Sequence, residues 1–475
     1  MNKIYKELGL NSIYKINNIE TFHDFDSESS TFSFSDTELL GGSSTPVSLD
    51  DVIIDDDFET DCKGYPSLPH ILPAVDRIIC IGDIHGDFKL MIDCLELGKV
   101  IKRNPNIDKK TYPKNINDYQ WTGNKSVVVQ VGDQIDRCRP TLTKCDDPTA
   151  TPDDEGSDII ILEFMSDLHK KALESGGAVY SLLGNHEIMN VEGNMNYVSY
   201  EGAKQFLDDK DIEGQEIKKI YKDGIEQRRS DFSQGKKYAK LMACTRQSVL
   251  IIGSNIFVHA AVTPKIAEKF KRSNLQNINI AVRKWLLGEL DNNSQIKNDK
   301  GNAFKLGQIL TTMDVSLFWP RILGHLPSDK TQKGTDDKVV DTCAQNLYPV
   351  LDMFNCNNMI VGHTPQFSLD KFNPHGISSA CNFKEKTLKQ NLSDQDNVKK
   401  FKNYGIWRID AGSSTAFNYH QGIENPDSET RTLDVDSESK IISATVPQVL
   451  EIKDDKHFTV LKMENGKYIE KRFTN

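Results

Sequence analysis

Three short apolar runs in the first half of the chain each end in a glycine followed by an acid or an amide. Residues 78–81 lead into Gly82-Asp83, residues 126–131 into Gly132-Asp133, and residues 178–183 into Gly184-Asn185. The runs are too apolar for half-exposed strands and read as strands buried on both faces of a sheet. Between them, apolar residues recur at helical spacing over 88–101, with Leu90, Met91, Cys94, Leu95 and Leu97, and again over 158–173. Strand, turn and helix in repeated order mark an α/β fold, and in such sheets ligands gather at the carboxyl ends of the strands.

The second half of the chain reads differently. Residues 248–253 and 255–259 are two strands joined by a tight turn, and the second ends at His259. Residues 359–364 form another short strand, ending at His363-Thr364, and 406–410, 449–452 and 457–463 read as closing strands. Helices are predicted over 264–271 and 278–290. Hairpin-like strands without long helices between them favour a mixed sheet or two stacked sheets. The polar stretches 191–245 and 383–403 read as insertions, the first with helical segments at 200–207 and 217–227 that would form a cap or side wall. Residues 102–125 read as a surface loop. Residues 1–72 lack sustained periodicity and are rich in Ser, Asp, Glu and Thr from Asp24 to Asp61, which predicts an acidic leader without a packed core. The catalytic domain is then expected over 73–475.

Composition narrows the function classes. A formal net charge of −11 argues against a chain whose main task is gripping nucleic acid or an anionic membrane. The 9 cysteines contain no C-x-x-C pair, which favours free thiols in a reducing compartment. Cys138 and Cys145 share one loop, and the same reasoning favours two thiols there over a bridge. No secretory pattern and no membrane-length apolar stretch occurs, so a soluble, cytoplasmic protein is expected.

The strand ends carry the chemistry. Asp83 and His85 are two residues apart, so an extended chain points both side chains to one side. With Asp133, Asn185, His259 and His363 they form a set of oxygen and nitrogen donors without cysteine, suited to manganese, iron or zinc. Six ligands are too many for one open catalytic metal and suit two ions about 3.5–4 Å apart, with Asp133 as the bridging carboxylate. Such a pair holds a bridging water and makes hydroxide available at neutral pH. Asn185 and His186 are adjacent and cannot easily aim at one atom, so His186 is left to protonate a leaving group, oriented by Asp136. Arg137 and Arg321 supply forked donors for phosphate oxygens. A structural ion pair is the alternative for Arg137.

At these residues the chain resembles the calcineurin-like metallophosphoesterases, and among them the phosphoprotein phosphatase (PPP) family. Gly82-Asp83-Ile84-His85-Gly86, Gly132-Asp133-Gln134-Ile135-Asp136-Arg137 and Gly184-Asn185-His186-Glu187 match that family's motifs. His259-Ala260-Ala261 departs from the eukaryotic serine/threonine branch. Phe318-Trp319-Pro320-Arg321, Val361-Gly362-His363-Thr364-Pro365-Gln366 and Ile409-Asp410-Ala411-Gly412-Ser413 are similar instead to the bacterial-like Shewanella-type phosphatases. The resemblance implies a four-layer α/β/β/α sandwich of two mixed sheets. It implies one metal on Asp83, His85 and Asp133 and a second on Asp133, Asn185, His259 and His363. It also implies His186 with Asp136 as general acid, Arg137 and Arg321 on phosphate, and a phosphoprotein or phosphopeptide substrate. Hydrolysis of dinucleoside polyphosphates is the alternative activity of such a site. A phosphate-binding module without turnover is the alternative of another class, and the complete ligand set argues against it.

Overall fold

The computed structural model describes residues 58–108, 110–140, 144–270, 272–297, 303–329, 336–366, 376–384, 387–388, 398–399, 401, 403–417, 446–464 and 467–473. In chain order the strands are β1 (Ile71–Leu72), β2 (Arg77–Ile81), β3 (Ile101–Arg103), β4 (Tyr119–Trp121), β5 (Val127–Gln130), β6 (Ala178–Leu182), β7 (Arg246–Gln247), β8 (Val249–Ile252), β9 (Asn255–Val258), β10 (Gln295–Lys297), β11 (Ala303–Lys305), β12 (Asn358–Val361), β13 (Ser378–Ala380), β14 (Gly405–Arg408), β15 (Gln448–Lys453), β16 (His457–Glu464) and β17 (Lys467–Phe473). The helices that matter for the site are α1 (Phe58–Asp61), α2 (Phe88–Leu97), α3 (Asp158–Leu173), α4 (Asn185–Val191), α5 (Tyr200–Lys204), α6 (Ile217–Phe232), α7 (Lys237–Thr245) and α8 (Leu275–Leu286).

Two mixed sheets carry the fold. One has seven strands in the order β17-β16-β15-β2-β5-β6-β7, the other six in the order β1-β8-β9-β12-β14-β13. In the first, β2, β5, β6 and β7 are parallel, and β15, β16 and β17 extend it antiparallel beyond β2. In the second, β9, β12 and β14 are parallel. Alternation along the strands sorts the layers. Ile78 and Cys80 of β2, Val127 and Val129 of β5, and Ala178, Tyr180 and Leu182 of β6 pack into one interior with β8, β9, β12 and β14. Ile79, Ile81, Val128 and Val179 point the other way, onto α2 and α3. Burying one such side chain contributes on the order of 1.5–3 kcal/mol. A slip of one residue would exchange the two faces, so the register is firmly set. The helix α8 packs Leu275, Ile278, Val282 and Trp285 into the same interior as the six-stranded sheet. The expected α/β/β/α sandwich is what the chain forms.

Several boundaries differ from the sequence reading. Residues 58–72, assigned above to the leader, belong to the fold: Phe58, Cys62, Leu68 and Ile71 are buried, and β1 pairs parallel to β8. These pieces are too short to show periodicity and acquire partners only from far along the chain. Residues 1–57 of the expected leader lie outside the described residues. The surface loop at 102–125 contains the β3–β4 pair, with Tyr119 and Trp121 buried against α2 and α3. The insertion at 191–245 is no mere solvated flap, since Phe232, Tyr238, Ala239 and Met242 join the main core. Much of 383–403 lies outside the described residues.

The expectation of free thiols is overturned for most of the cysteines. Cys62–Cys244, Cys138–Cys145 and Cys343–Cys381 are disulfides, and only Cys80, Cys94 and Cys356 are free, all buried. Spacing could not reveal this, because the partners lie 182, 7 and 38 residues apart. Disulfides persist in oxidising surroundings, so the cysteine count no longer argues for a reducing compartment. Among the described residues no helix is long and apolar enough to cross a membrane. We expect the protein, denatured without reductant, to titrate 3 thiols, and 9 after reduction. Nine before reduction would refute the pairing. Replacing Cys62 and Cys244 together by serine should cost about 2–5 kcal/mol in denaturant unfolding.

Candidate metal centre and active site

The register of the seven-stranded sheet sets Ile81, Gln130 and Ser181 level, so the turns after β2, β5 and β6 leave from one edge. Those turns carry Asp83 and His85, Asp133 and Asp136, and Asn185 and His186. From the other sheet, β9 delivers His259 and β12 delivers His363. Four of these residues hold the left-handed backbone that side chains disfavour: His85 at φ 49°, Asp133 at 52°, Asp136 at 71° and His363 at 63°. Each costs of order 1–3 kcal/mol and persists because its surroundings over-determine it. Two glycines admit the carboxylates. A β-carbon on Gly184 would overlap Asp133 Oδ1, and one on Gly362 would overlap Asp83 Oδ1.

The donor atoms converge. Those of His85, Asp133 and His186 lie within 4.8 Å of one another, as do those of Asp133, His259 and His363. Asp133 belongs to both groups. Asp83 Oδ2 lies 3.9 Å from His85 Nε2, and Asn185 Oδ1 lies 3.0 Å from His259 Nε2. Three histidines are held by one ring nitrogen and turned inward by the other. His85 Nδ1 meets the Ile135 carbonyl at 3.3 Å, His259 Nδ1 the Val131 carbonyl at 2.8 Å, and His363 Nε2 the Trp319 carbonyl at 3.1 Å. A ring nitrogen donating to a carbonyl leaves the opposite nitrogen as a lone pair facing the centre, the usual support of a metal-binding imidazole.

Electrostatics favours a cation there. Burial raises the Asp83 carboxyl well above its usual range, and the charges of Asp410 and Asp133 add to it. Burial works against ionised Asp133 too, yet His259 and His186 hold its carboxyl well below the usual range. Burial also pushes His85 and His363 far down, leaving neutral imidazoles, the form that ligates metal. His363 Nδ1 and Asp410 Oδ2 are buried with no hydrogen-bond partner. Crowded carboxylates, neutral imidazoles and orphaned acceptors together fit divalent cations.

Residues 76–367 match the family described as calcineurin-like phosphoesterase. The chain belongs to the calcineurin-like phosphoesterases. An uncharacterised protein of Acanthamoeba polyphaga mimivirus is 34% identical over 304 residues, 63% of this chain and 97% of that one. Shewanella-like protein phosphatase 2 of Arabidopsis thaliana is 25% identical over 338 residues, 65% of this chain and 69% of its own. A cold-active protein-tyrosine phosphatase of a psychrophilic Shewanella species superposes with a TM-score of 0.44 at 16% identity, covering 86% of this chain and 87% of its own. The Shewanella-type resemblance read from the motifs agrees with the name of the Arabidopsis relative.

Around this cluster the remaining predicted residues are distributed unevenly. His186 Nδ1 lies 2.9 Å from Asp136 Oδ2, and its backbone N–H donates to Asp133 Oδ1 at 3.0 Å. Arg321 donates through Nη1 to the His363 carbonyl at 2.5 Å. Arg137 spends Nη1 on the Gly86 carbonyl and Glu155 Oε1, at 2.9 and 3.2 Å, and Nη2 on the Asp153 carbonyl and Thr415 Oγ1. It ties three loops together.

Some residues of this layer went unassigned in the sequence. Glu187 accepts from the backbone N–H groups of Asp133, Gln134 and Gly184 and so pins the β5 turn to α4. Its place on the third position of a helix opening at Asn185 was the available signal. Arg228 had none, being one basic residue among many on α6. Fully buried, it donates to Asp136 Oδ1 at 2.9 Å, Asp158 Oδ2 at 2.6 Å and Asn190 Oδ1 at 2.8 Å. Asn190 in turn donates to Asp136 Oδ2 at 2.9 Å. Arg228→Met strands two buried carboxylates, and we expect a loss of about 3–5 kcal/mol in chemical denaturation. Stability within 1 kcal/mol of wild type, by the same measurement, would show the network to be dispensable.

Proposed function

We propose that this protein is a metal-dependent phosphoprotein phosphatase that hydrolyses phosphomonoesters by direct attack of water, without a covalent phosphoenzyme. The carrying observation is the carboxylate of Asp133, which both groups of converging donors share. Asp83, His85 and Asp133 would hold one divalent ion, and Asp133, Asn185, His259 and His363 the other, with manganese, iron or zinc suited to the donors. Bound there, the ions supply an acidified water and stabilise charge on the phosphoryl oxygens. His186, oriented by Asp136, holds the proton for the leaving oxygen at Nε2. Arg321, held on the His363 carbonyl, would bind phosphoryl oxygens. A thiol nucleophile is disfavoured, because burial holds Cys80 and Cys94 protonated and Cys138 is disulfide-bonded. The protein phosphatase name of the Arabidopsis relative supports a phosphoprotein substrate.

The test is metal analysis joined to a substrate panel. Chelator-treated protein reloaded with manganese is expected to hydrolyse phosphoserine, phosphothreonine or phosphotyrosine peptides faster than diadenosine tetraphosphate. Preference for the dinucleotide would replace the proposal. Asp133→Asn should lose metal and turnover together. His186→Ala should keep its metal and lose about 10²–10⁴ in kcat. In labelled water a single turnover should place one label in phosphate, and a trapped phosphoenzyme would refute direct attack.

A further inference from the structure

The loop that follows β5 contains two arginines, and the motif reading used only the first. Arg137 is 3% exposed, and both its terminal nitrogens already have acceptors. Its work is to join the β2 turn to the loop at Asp153–Glu155 and to Thr415. Presenting a fork to a phosphate would require breaking these bonds inside the protein.

Arg139 is placed differently. It is half-buried, and among the described residues its two hydrogen bonds both leave from Nη1, to the Asp136 carbonyl at 3.0 Å and the Cys138 carbonyl at 2.9 Å. Among the described residues no carboxylate lies within ion-pairing distance of it. Its guanidinium stacks between Tyr197 and Phe417, 5.8 and 4.8 Å from the ring centroids. Those rings pack edge-on against site histidines, Tyr197 on His186 at 5.0 Å and Phe417 on His85 at 5.4 Å. The cation therefore stands at the rim of the metal centre. Its position is also braced: Cys138 is bridged to Cys145, and its backbone N–H donates to the Tyr197 carbonyl at 3.0 Å.

A desolvated guanidinium without a carboxylate partner is costly, and an incoming anion repays that cost. Its planar fork matches two phosphate oxygens, and aromatic faces on either side limit its rotamers before the ligand arrives. Arg321 and Arg139 both act electrostatically on Tyr197, and Asp133 and Asp410 act on both arginines. We infer that Arg139, together with Arg321, grips the phosphoryl oxygens of the bound phosphomonoester, while Arg137 is a strut. The inference rests on the phosphatase reading for its substrate, though not for the anion site itself.

The deciding measurement is calorimetric binding of inorganic phosphate to the manganese-loaded full-length protein, beside steady-state kinetics and thermal melts. Arg139→Met keeps the stem between the rings and removes the charge. It should weaken phosphate at least about tenfold and lower kcat/KM about 100-fold at an unchanged melting temperature. Arg139→Lys should recover part of the phosphate affinity and less of kcat/KM. Arg137→Met should lower the melting temperature first. Wild-type phosphate affinity in Arg139→Met, or no phosphate binding by the wild type, overturns the inference. A wild type that binds phosphate through Arg139 yet hydrolyses no ester upholds it and overturns the phosphatase reading.

Discussion

Asp133 is the point on which the two halves of the molecule meet. Its carboxylate faces His259 Nε2 at 3.4 Å, His85 Nε2 at 3.8 Å and His186 Nε2 at 3.9 Å, and its other oxygen accepts the His186 backbone N–H. The seven-stranded sheet supplies the acid and two of the imidazoles, and the six-stranded sheet supplies the third. An anion buried this deeply is tolerable only among positive or polarisable partners. The stacking of two sheets and the existence of the site are thus one constraint. If the sheets slid, Asp133 would lose His259 and remain a buried charge against a core.

That constraint explains where the chain accepts unfavourable local structure. Four of the eleven described non-glycine residues with positive φ, His85, Asp133, Asp136 and His363, lie in turns that carry the site's side chains. Holding four such turns needs support from behind, and the support comes from groups that never face the centre. Glu187 collects three backbone N–H groups, and Arg228 collects Asp136, Asp158 and Asn190. The helical insertion that brings Arg228 is therefore part of the frame behind the Asp133 cluster. The three disulfides act on the same problem, closing one long loop and two short ones around a large, loop-rich chain.

How much was legible beforehand depended on whether a signal was local. The strands ending at Gly82, Gly132 and Gly184 were readable because burial on both faces leaves an apolar run, and the donors follow at short fixed spacing. His259 and His363 were weaker, each a lone histidine after a short strand, and gained meaning only beside the others. The β1 strand, the Cys62–Cys244 bridge and the β3–β4 pair were invisible, because two or three residues carry no period and their partners are remote. Arg137 and Arg139 show the limit most clearly. Both are arginines in one turn, and only the direction of each side chain separates Arg137, whose two terminal nitrogens are both bonded, from Arg139, which bonds through one.

The sequence alone determined the class of fold, the order of the strand-end motifs and the kind of ions their donors suit. These follow from periodicity and from ligand chemistry, which act over a few residues. Tertiary structure decided which acids and histidines share Asp133, which cysteines pair, and which arginine is tied up inside the protein. Those outcomes turn on distances between segments far apart in the chain, and on which nitrogen of each ring or guanidinium is already taken. No local pattern encodes that, because it is settled only when the two sheets close on each other.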